Sequence, residues 1–388
     1  MSGKYDVIIV GAGPAGGLLA YLLARKNLRV LVIEKEALPR YKPCGGGLTR
    51  RALNLLPFSI EPVIEDQTFR PRILVRGRTV FQAQLSEPAV VMVSRDRFDQ
   101  FILQHARAAG ANVEEKCSFR NVSGVTNDLS IETSRGVFKS KYLAAADGAN
   151  SRAARAMGLS GPTKFMTALE GEIYPNDPGT IERFRGSADF DFGPLPAGYG
   201  WVFPKGDHLS AGVLTRHLSI KHLRPYYQAC LSSKEIKQAD TRSLRPHLIP
   251  YGRPVGSPVT GLHGLILGDA AGWTDPITGE GIYFALKTAH LAAGTILAAV
   301  NGTQSLSNYS TSFGREIITD LKYAKRLAWL LYECPRLSHW ILERHGQGFG
   351  RIFVDIIHGR QTYRELYLKM LKDCLNPLRL ARLLSNPD

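Results

Sequence analysis

The sequence has few cysteines, and no two of them are spaced to bind zinc or an iron–sulfur cluster. The five cysteines are Cys44, Cys117, Cys230, Cys334 and Cys374. An odd number without a C-x-x-C pair argues against a disulfide framework and favours a reducing compartment. Without an iron–sulfur pattern the chain has no second redox centre of its own. No metal site is predicted.

Long hydrophobic runs are also lacking. The apolar or small stretch Leu291–Val300 is well short of the roughly 18–20 residues that a membrane-spanning helix needs. The chain enters a strand at Tyr5 without a basic segment followed by an apolar region, so no secretion signal is expected. We therefore expect a cytoplasmic protein that does not cross a membrane.

Acidic residues are outnumbered, 34 against 49 lysines and arginines, which gives a formal charge of +15. The basic residues are dispersed, and no homeodomain, zinc-finger or RNA-recognition signature is present, so no nucleic-acid partner is predicted. The charge instead favours a peripheral contact with an anionic membrane surface or with an acidic redox partner.

What the sequence does contain is a strand–helix–strand unit at its amino end. Apolar periodicity predicts a strand at Tyr5–Val10, a helix at Pro14–Lys26 and a strand at Arg29–Ile33. Further predicted elements are a helix at Asp96–Ala109, strands at Asn112–Glu115, Leu129–Thr133, Val137–Ala145, Leu209–Leu214 and Leu262–Leu267, and a long helix at Gly281–Val300. The last seventy residues are predicted to be helical.

A glycine-rich turn joins the first strand to the first helix. It reads Gly-Ala-Gly-Pro-Ala-Gly and matches G-x-G-x-x-G, with the acidic Glu34 at the end of the second strand. Gly11 permits the tight turn, Gly13 lets a pyrophosphate approach the backbone, and Gly16 lets the helix lie close to the sheet. The helix amino terminus then faces the phosphates. The predicted dinucleotide-binding residues here are Gly11, Gly13, Pro14, Ala15, Gly16, Glu34 and Lys35.

Two later strand ends carry acidic residues next to glycine. Asp147 and Gly148 follow one predicted strand, and Gly268 and Asp269 follow another. A carboxylate at the carboxyl end of a strand can meet a ribose or ribityl hydroxyl. With the first motif, in this order, the set resembles the large p-hydroxybenzoate-hydroxylase-like group of flavoproteins.

That resemblance covers about the first 300 residues and implies FAD as the cofactor. It implies that Asp269 binds the ribityl or pyrophosphate region and that Gly281 and Ile282 lie beneath the flavin pyrimidine at a helix amino terminus. A helix end there would stabilise negative charge on the reduced ring. It also implies that Arg95 reaches the cofactor and that Phe119 lies at the position contacting the adenine.

A cysteine followed by three glycines lies where the chain should cross the isoalloxazine ring. The segment is Cys44, Gly45, Gly46 and Gly47, and glycines allow backbone to contact a flat ring. A thiol is protonated near neutral pH, so Cys44 could act as a general acid. The alternative is that Cys44 is a small packing residue.

A second segment, between Pro196 and Pro204, alternates aromatic residues. On a strand Tyr199, Trp201 and Phe203 point the same way and could form the wall of an apolar tunnel. The alternative is an ordinary sheet core.

Together the two segments resemble the geranylgeranyl reductase family, which carries a P-x-x-Y-x-W-x-F-P segment and a similar cysteine–glycine run. The resemblance implies that reduced FAD gives hydride to an isoprenoid double bond, with a proton supplied to the other carbon. It implies a substrate tail attached to a phospholipid, a chlorophyll precursor or a quinone, held by Tyr199, Trp201, Phe203 and Pro204. NAD(P)H or ferredoxin would be the electron donor, although no second nucleotide fingerprint is present.

Two other functions stay open at this point. Flavin-dependent halogenases carry G-W-x-W-x-I-P, from which Tyr199 and Phe203 depart, and a monooxygenase could use the same fold. A flavoprotein electron carrier is the non-enzymatic alternative.

The predicted architecture is α/β. A Rossmann-type FAD-binding domain (1–60, 90–160 and 255–300) is interleaved with an antiparallel-sheet substrate domain (61–89 and 161–254), and a helical region (301–388) follows.

Overall fold

The computed structural model describes residues 4–125, 127–236, 239–254 and 256–374. Its strands are β1 (Tyr5–Val10), β2 (Val30–Ile33), β3 (Gly47–Thr49), β4 (Ile64–Thr68), β5 (Arg70–Val75), β6 (Arg78–Gln82), β7 (Val90–Val93), β8 (Asn112–Glu114), β9 (Phe119–Val125), β10 (Asp128–Thr133), β11 (Gly136–Ala145), β12 (Lys164–Pro175), β13 (Ser187–Phe192), β14 (Gly198–Lys205), β15 (His208–Thr215), β16 (Ala239–Gly252), β17 (Thr260–Gly261) and β18 (Gly264–Ile266). Its helices are α1 (Pro14–Ala24), α2 (Arg50–Leu53), α3 (Arg95–Ala108), α4 (Arg152–Ala156), α5 (Pro178–Phe184), α6 (Leu223–Ser233), α7 (Ile282–Val300), α8 (Asn308–Phe313), α9 (Thr319–Glu333), α10 (Pro335–His358) and α11 (Tyr363–Cys374).

The first sheet has a parallel centre in the order β18-β11-β1-β2-β8. Its central strand β1 is buried from Asp6 to Val10, because helix α1 packs between α3 and α7 on the sheet. Parallel strands covered by helices give continuous apolar runs, as the sequence of β1 shows. Strands β9, β10 and β17 add antiparallel edges. The predicted α/β Rossmann-type fold is confirmed.

The second sheet has seven strands in the order β16-β12-β15-β14-β13-β5-β6. All pairs are antiparallel except β5 with β13. Its two faces bury different cores. Val202 and its neighbours pack with helices α5 and α6, whereas Tyr199, Trp201 and Phe203 face the main core shared with the first sheet. The predicted residue boundaries between the two domains stay a prediction.

Two parts of the strand prediction were wrong or incomplete. The run Leu262–Leu267 is not one strand: β17 and β18 form a tight hairpin, and Leu262 at its turn is 82% exposed. The 14-residue strand β16 was not predicted, because Pro246 and Pro250 interrupt its pattern. It lies at the edge of the sheet, where a missing backbone N–H is tolerated. A third small sheet, β3-β7-β4, was also missed.

The described carboxyl-terminal part is helical, as predicted; positions 375–388 lie outside the described residues. Helix α10 crosses strands β5 and β6 at close range. A Cβ on Gly346 would overlap the Val80 carbonyl oxygen, and one on Gly350 would overlap the Phe81 ring. These two glycines therefore allow α10 to approach the second sheet.

Helix α7 is long and apolar enough, by length and composition, to span a membrane. More than half of its residues are buried in the protein, including Phe284, Leu286 and Ile296. It packs along α1, so it is a core helix of the nucleotide-binding layer.

Candidate active site

A cavity lies where the first sheet, the second sheet and helix α10 meet. It is bordered by the β1–α1 turn, the loop before β3, the start of α7, strands β12 and β14 and one side of α10. The residues that line it are Gly13, Pro14, Ala15, Lys42, Pro43, Cys44, Gly45, Gly46, Gly47, Thr49, Val90, Arg95, Ala146, Gly148, Ala168, Glu170, Phe190, Tyr199, Trp201, Phe203, Leu214, His247, Ile249, Gly268, Asp269, Thr278, Gly279, Glu280, Gly281, Ile282, Ala285, Phe353 and Ile357.

The β1–α1 turn is held by close backbone packing. Gly11 has φ +104°, and a Cβ on Gly16 would overlap the Gly11 carbonyl oxygen. Gly13 is different: its φ is −75°, and a Cβ there would meet only an Arg40 nitrogen at 4.0 Å. Gly13 caps α1 without a side-chain hydrogen bond. The first N–H groups of α1 are therefore open to an anionic ligand in the cavity.

Glu34 lies beneath this turn, 4% exposed. Its carboxylate accepts hydrogen bonds from the backbone N–H of Ala12 (2.8 Å) and Glu36 (3.1 Å). Lys35 points away: its side chain is 72% exposed and lies 3.9 Å from the Glu36 carboxylate. Lys35 and Glu34 do not line the cavity as it stands, and neither does Phe119, a buried residue that begins β9.

The two strand-end acids have different surroundings. Asp147 binds the start of α4, accepting from the N–H groups of Arg152 and Ala153 and from the Ser151 hydroxyl. It does not line the cavity, whereas its neighbour Gly148 does. Asp269 lines the cavity, and its Oδ1 is 3.3 Å from an ideal Cβ on Gly281.

Helix α7 starts at the cavity. Gly281 is its N-cap and makes no side-chain hydrogen bond, and Ile282 follows as the first helical residue. Both line the cavity. The positive end of the α7 dipole is thus available to a negatively charged group.

A buried charge network, which sequence reasoning missed, anchors the loop before α7. The Arg51 guanidinium binds the carboxylates of Asp275 (3.0 Å) and Glu280. Thr49 donates to Glu280, and the Tyr363 hydroxyl donates to Asp275 at 2.7 Å. All five side chains are buried or nearly so. The network ties helices α2 and α11 to the loop that carries Gly279 and Gly281.

We expect Arg51→Met to destabilise the protein by about 3–5 kcal/mol, because it leaves two buried carboxylates without their cation. Arg50→Met is the matched control. Arg50 is 42% exposed and lies 3.9 Å from Glu87, so its loss should cost less than about 1 kcal/mol. Urea unfolding followed by circular dichroism measures both. Equal unfolding midpoints for the two variants would contradict the structural role of the network.

The Cys44 loop packs directly on the aromatic strand. An ideal Cβ on Gly45 would lie 3.0 Å from the Phe203 ring and 3.1 Å from Trp201 Nε1. Gly45 thus packs closely on the protein's own aromatic rings, whereas Gly46, with φ +74°, packs on the Val93 carbonyl oxygen and Gly47 on the Val90 side chain. Cys44 is partly buried and lines the cavity, and the Gly46 N–H points to its sulfur at 3.4 Å.

Arg95 begins α3 but is only 7% exposed. It makes a bidentate pair with Asp99, both distances 2.8 Å, and its guanidinium also lies beside the Cys44 thiol. Asp99 fixes the guanidinium in the cavity wall, where it can stabilise negative charge on the sulfur.

Strand β14 lines the cavity with three aromatic side chains on one face, Tyr199, Trp201 and Phe203. The Tyr199 hydroxyl donates to the Thr278 carbonyl, whereas Trp201 Nε1 is buried without a partner among the described residues. Pro204 lies in the same strand but does not line the cavity.

Helix α10 completes this apolar wall, which sequence reasoning also missed. Phe353 and Ile357 line the cavity, and Phe353 packs on Phe190 with ring centroids 5.2 Å apart. The sequence did contain a signal for this packing: Gly346 and Gly350 are four residues apart, and two small residues at that spacing give a helix one face that can pack closely.

Besides Glu280, three titratable residues of the cavity were not predicted. Burial, and then the Glu172 carboxylate, raises the pKa of Glu170 to about 7. Burial, and then the Lys42 ammonium, lowers the pKa of His247 to about 4. Burial also lowers the pKa of Lys42 itself.

The residues present fit FAD. Two helix amino termini without side-chain caps face the cavity, and the space above Gly13 is open. The buried Trp201 N–H has no partner within the part of the chain that the structure describes. Pyrophosphate would be held at the start of α1 and the flavin pyrimidine at the start of α7.

Comparison with known proteins agrees with this fit. Residues 4–189 match the family model of an FAD binding domain. The chain is 30% identical to the chloroplastic geranylgeranyl diphosphate reductase of Oryza sativa subsp. japonica, over 80% of this chain and 72% of that protein. It is also 30% identical to a menaquinone reductase of Mycobacterium tuberculosis, over 84% of each.

Among solved structures, a geranylgeranyl bacteriochlorophyll reductase-like protein from Thermoplasma acidophilum superposes with a TM-score of 0.74. The two are 24% identical, and the match covers 84% of this chain and 87% of that one. This likeness supports the fold. Taken with the FAD-binding match and the named relatives, it shows that the chain belongs to the geranylgeranyl reductase family and is an FAD-dependent oxidoreductase.

Proposed function

We propose that the protein hydrogenates carbon–carbon double bonds in the isoprenoid chain of a lipid, chlorophyll-type or quinone substrate. The observation that carries the proposal is the apolar wall of Tyr199, Trp201 and Phe203 facing the same cavity as Cys44 and the start of α7. An isoprenoid chain has no polar groups to bind, so aromatic and aliphatic side chains are the surfaces that would hold it.

When bound, reduced FAD supplies the hydride. Phe190, Phe353 and the β14 aromatics orient the isoprenoid chain and exclude water from it. The Cys44 thiol gives its proton to the second alkene carbon, and the Arg95 guanidinium stabilises the thiolate that remains. Cofactor contacts are assigned to the glycine-rich turn, Asp269 and the start of α7, with Glu34 beneath the turn.

The apolar wall of the cavity favours a reductase over a halogenase or monooxygenase. The two kinds of enzyme differ in their need for oxygen, so a reaction without oxygen distinguishes them. We expect dithionite-reduced, FAD-loaded protein to be reoxidised without oxygen by one of three probes, with a double bond of its isoprenoid chain saturated. These are geranylgeranyl diphosphate, a digeranylgeranylglycerophospholipid and menaquinol, the form of menaquinone whose ring can take no further electrons from the flavin. Product formation that requires oxygen would favour the alternative. NAD(P)H or ferredoxin is proposed as the electron donor, and stopped-flow reduction by each would identify it.

The carboxyl-terminal helices are proposed to contact an anionic membrane surface. Trp329 on α9 is 58% exposed, and Leu337 and Trp340 on α10 are 47% and 44% exposed. Arg344 lies over the Trp340 ring, 5.9 Å from its centroid. Exposed aromatic residues beside cations are suited to a headgroup region. We propose a cytoplasmic protein that takes substrate from this surface, in agreement with the four described cysteines, none of which forms a disulfide.

We expect the double variant Trp329→Ser, Trp340→Ser to bind vesicles containing phosphatidylserine more weakly by about tenfold or more, since each aromatic side chain contributes about 1.5–3 kcal/mol when buried. Added salt should weaken wild-type binding. Val137→Ser is the control, because Val137 is 61% exposed on β11, remote from these helices in sequence. Sedimentation with vesicles measures the bound fraction. Equal sedimentation of all three proteins would contradict the assignment.

A further inference from the structure

A buried acid–base cluster lies behind one wall of the cavity. Glu170 and Glu172 are two residues apart on β12, so they share one face of the second sheet. Ser210 and His208 face them from β15, and Lys205 from β14. Lys205 is 1% exposed and Glu170 2% exposed. The reaction described so far uses none of these groups.

Glu170 is the member of the cluster that lines the cavity. Its carboxyl group receives hydrogen bonds from the hydroxyls of Tyr41 (2.9 Å) and Ser210 (3.1 Å). Among the described residues no cation lies within ion-pair distance of it, and Lys205 binds Glu172 instead, at 3.2 Å. Burying a charged carboxylate without a cation costs much free energy, whereas burying the neutral, hydrogen-bonded carboxyl costs little, so burial favours the protonated form of Glu170. Its pKa of about 7 agrees with this.

Polar groups beside Glu170 lead from its neighbour Glu172 to solvent. Glu172 Oε2 lies 3.0 Å from His208 Nε2, and His208 Nδ1 lies 2.8 Å from Asp207, whose side chain is 85% exposed. Burial opposes protonation of His208, but its contacts with Glu172 and Asp207 outweigh burial and raise its pKa. His208 can therefore carry a proton from the surface towards Glu172.

Tyr41, which is 42% exposed, joins Glu170 to the loop that carries Cys44. It lies on the same loop as Cys44, three residues before it, and interacts electrostatically with both Cys44 and Glu170. The stem of Lys205 packs beneath that loop, 3.2 Å from an ideal Cβ on Gly46. The acid–base cluster and the Cys44 loop are thus in direct contact.

We propose that Glu170 replaces the proton that Cys44 loses in each turnover, and that solvent replenishes Glu170 through Glu172 and His208. The inference rests on the proposed alkene reduction. Reduced FAD, when bound, would supply the hydride for one new C–H bond and become oxidised. The Cys44 proton would form the other C–H bond as the π bond breaks, which leaves Cys44 as thiolate. The Glu170 proton then restores the thiol by way of the cavity that both residues line.

The pH dependence follows from the groups around Glu170. The titratable and charged groups on the elements packed against it are Tyr41, Lys42 and Cys44 on the loop, Glu172 on its own strand, Lys205 on β14, His208 on β15, Tyr227 on α6, and Arg242, Arg245 and His247 on β16. Arg245, opposite Glu170 in register, is exposed and screened by water. Because Glu170 must be protonated to act, the steady-state rate should fall as the pH rises through about 7.

The test compares full-length, FAD-loaded wild type with Glu170→Gln, using whichever of the three probes the wild type reduces and excess dithionite. We expect the first turnover of Glu170→Gln to be near the wild-type rate, because Cys44 already holds its proton. Later turnovers should slow by about 10²–10⁴-fold and lose the pH dependence near 7. Glu170→Asp, which retains an acid, should recover part of the rate. Glu182→Gln, an exposed carboxylate on α5, is the control.

Infrared spectroscopy gives a readout that does not depend on turnover. The C=O stretch of a protonated carboxylic acid should titrate near pH 7 in wild type and be absent from Glu170→Gln. If Glu170→Gln keeps the wild-type steady-state rate and pH profile, the proton-supply role is overturned while the reductase function stands. If the wild type reduces none of the probes, the proposed function fails, and the infrared titration still decides whether Glu170 is protonated.

Discussion

Gly13→Val should yield a folded protein that contains no FAD. The backbone at Gly13 suits any residue, and the space where its Cβ would lie is open in the protein itself. A valine there would instead occupy the position proposed for the cofactor pyrophosphate at the start of α1. We expect the purified variant to be colourless, with wild-type circular dichroism and FAD release on denaturation reduced to background.

The control for this variant is Gly161→Val. Gly161 also has open space around its Cβ position, but it lies outside the cavity. This protein should stay yellow with stoichiometric FAD. A folded Gly13→Val protein that retains stoichiometric FAD would show that the pyrophosphate does not bind at this turn. Gly16→Val cannot serve as a test, because its side chain would overlap the Gly11 carbonyl and disturb the fold.

Cys44→Ser should keep its fold and its FAD but lose alkene reduction by about 10²–10⁴-fold, the usual cost of removing a general acid. The serine preserves the size of the side chain beside Arg95 but is a far weaker acid than the thiol. Reduction of the flavin by dithionite should be unchanged. The measurement is the rate of anaerobic flavin reoxidation after mixing with the probe that wild type accepts.

Cys334→Ser makes the same chemical change away from the cavity, at the junction of α9 and α10, and should be near wild type. Cys44→Ala should behave like Cys44→Ser. Wild-type reoxidation in both Cys44 variants would leave Cys44 as a packing residue and assign proton delivery to another group of the cavity, with Tyr199 and water the first to test.

The sequence predicted best those features that follow from local chain chemistry. The glycine turn at Gly11–Gly16 and the buried run Tyr5–Val10 carry their own signals, because backbone contact and burial on both faces restrict the residue types. The alternation of Tyr199, Trp201 and Phe203 likewise revealed one face of a strand. The glycine turn and the buried apolar run together predicted the parallel sheet and the position of the cofactor-binding turn at the end of its first strand.

Features that depend on distant partners could not be read from the sequence. Arg51 reveals nothing locally about Asp275 and Tyr363, which lie more than two hundred residues away in the chain. In the sequence Glu170 cannot be distinguished from other carboxylates on strands, because its contacts with Tyr41 and Ser210 form only in the folded protein. The run containing Leu262 was apolar enough for a strand, but a tight hairpin exposed that side chain.

The contact of the glycines after Cys44 with the flavin ring stays a prediction, and the structure adds a second reason for Gly45. Their number indicated contact with a flat ring, and the rings that touch Gly45 in the structure belong to Trp201 and Phe203. Glycines in a sequence indicate close packing but do not show which group packs against them. Asp147 is a similar case, since its carboxylate binds the start of α4.

The most direct test of the account is an anaerobic single turnover followed by mass analysis of the product. FAD-loaded protein is reduced with one equivalent of dithionite and mixed with geranylgeranyl diphosphate, a digeranylgeranylglycerophospholipid or menaquinol. The account predicts that one probe reoxidises the flavin and is recovered with one double bond saturated for each flavin oxidised. A flavin that stays reduced with all three, or a product that forms only with oxygen and carries an added oxygen or halogen atom, would contradict it.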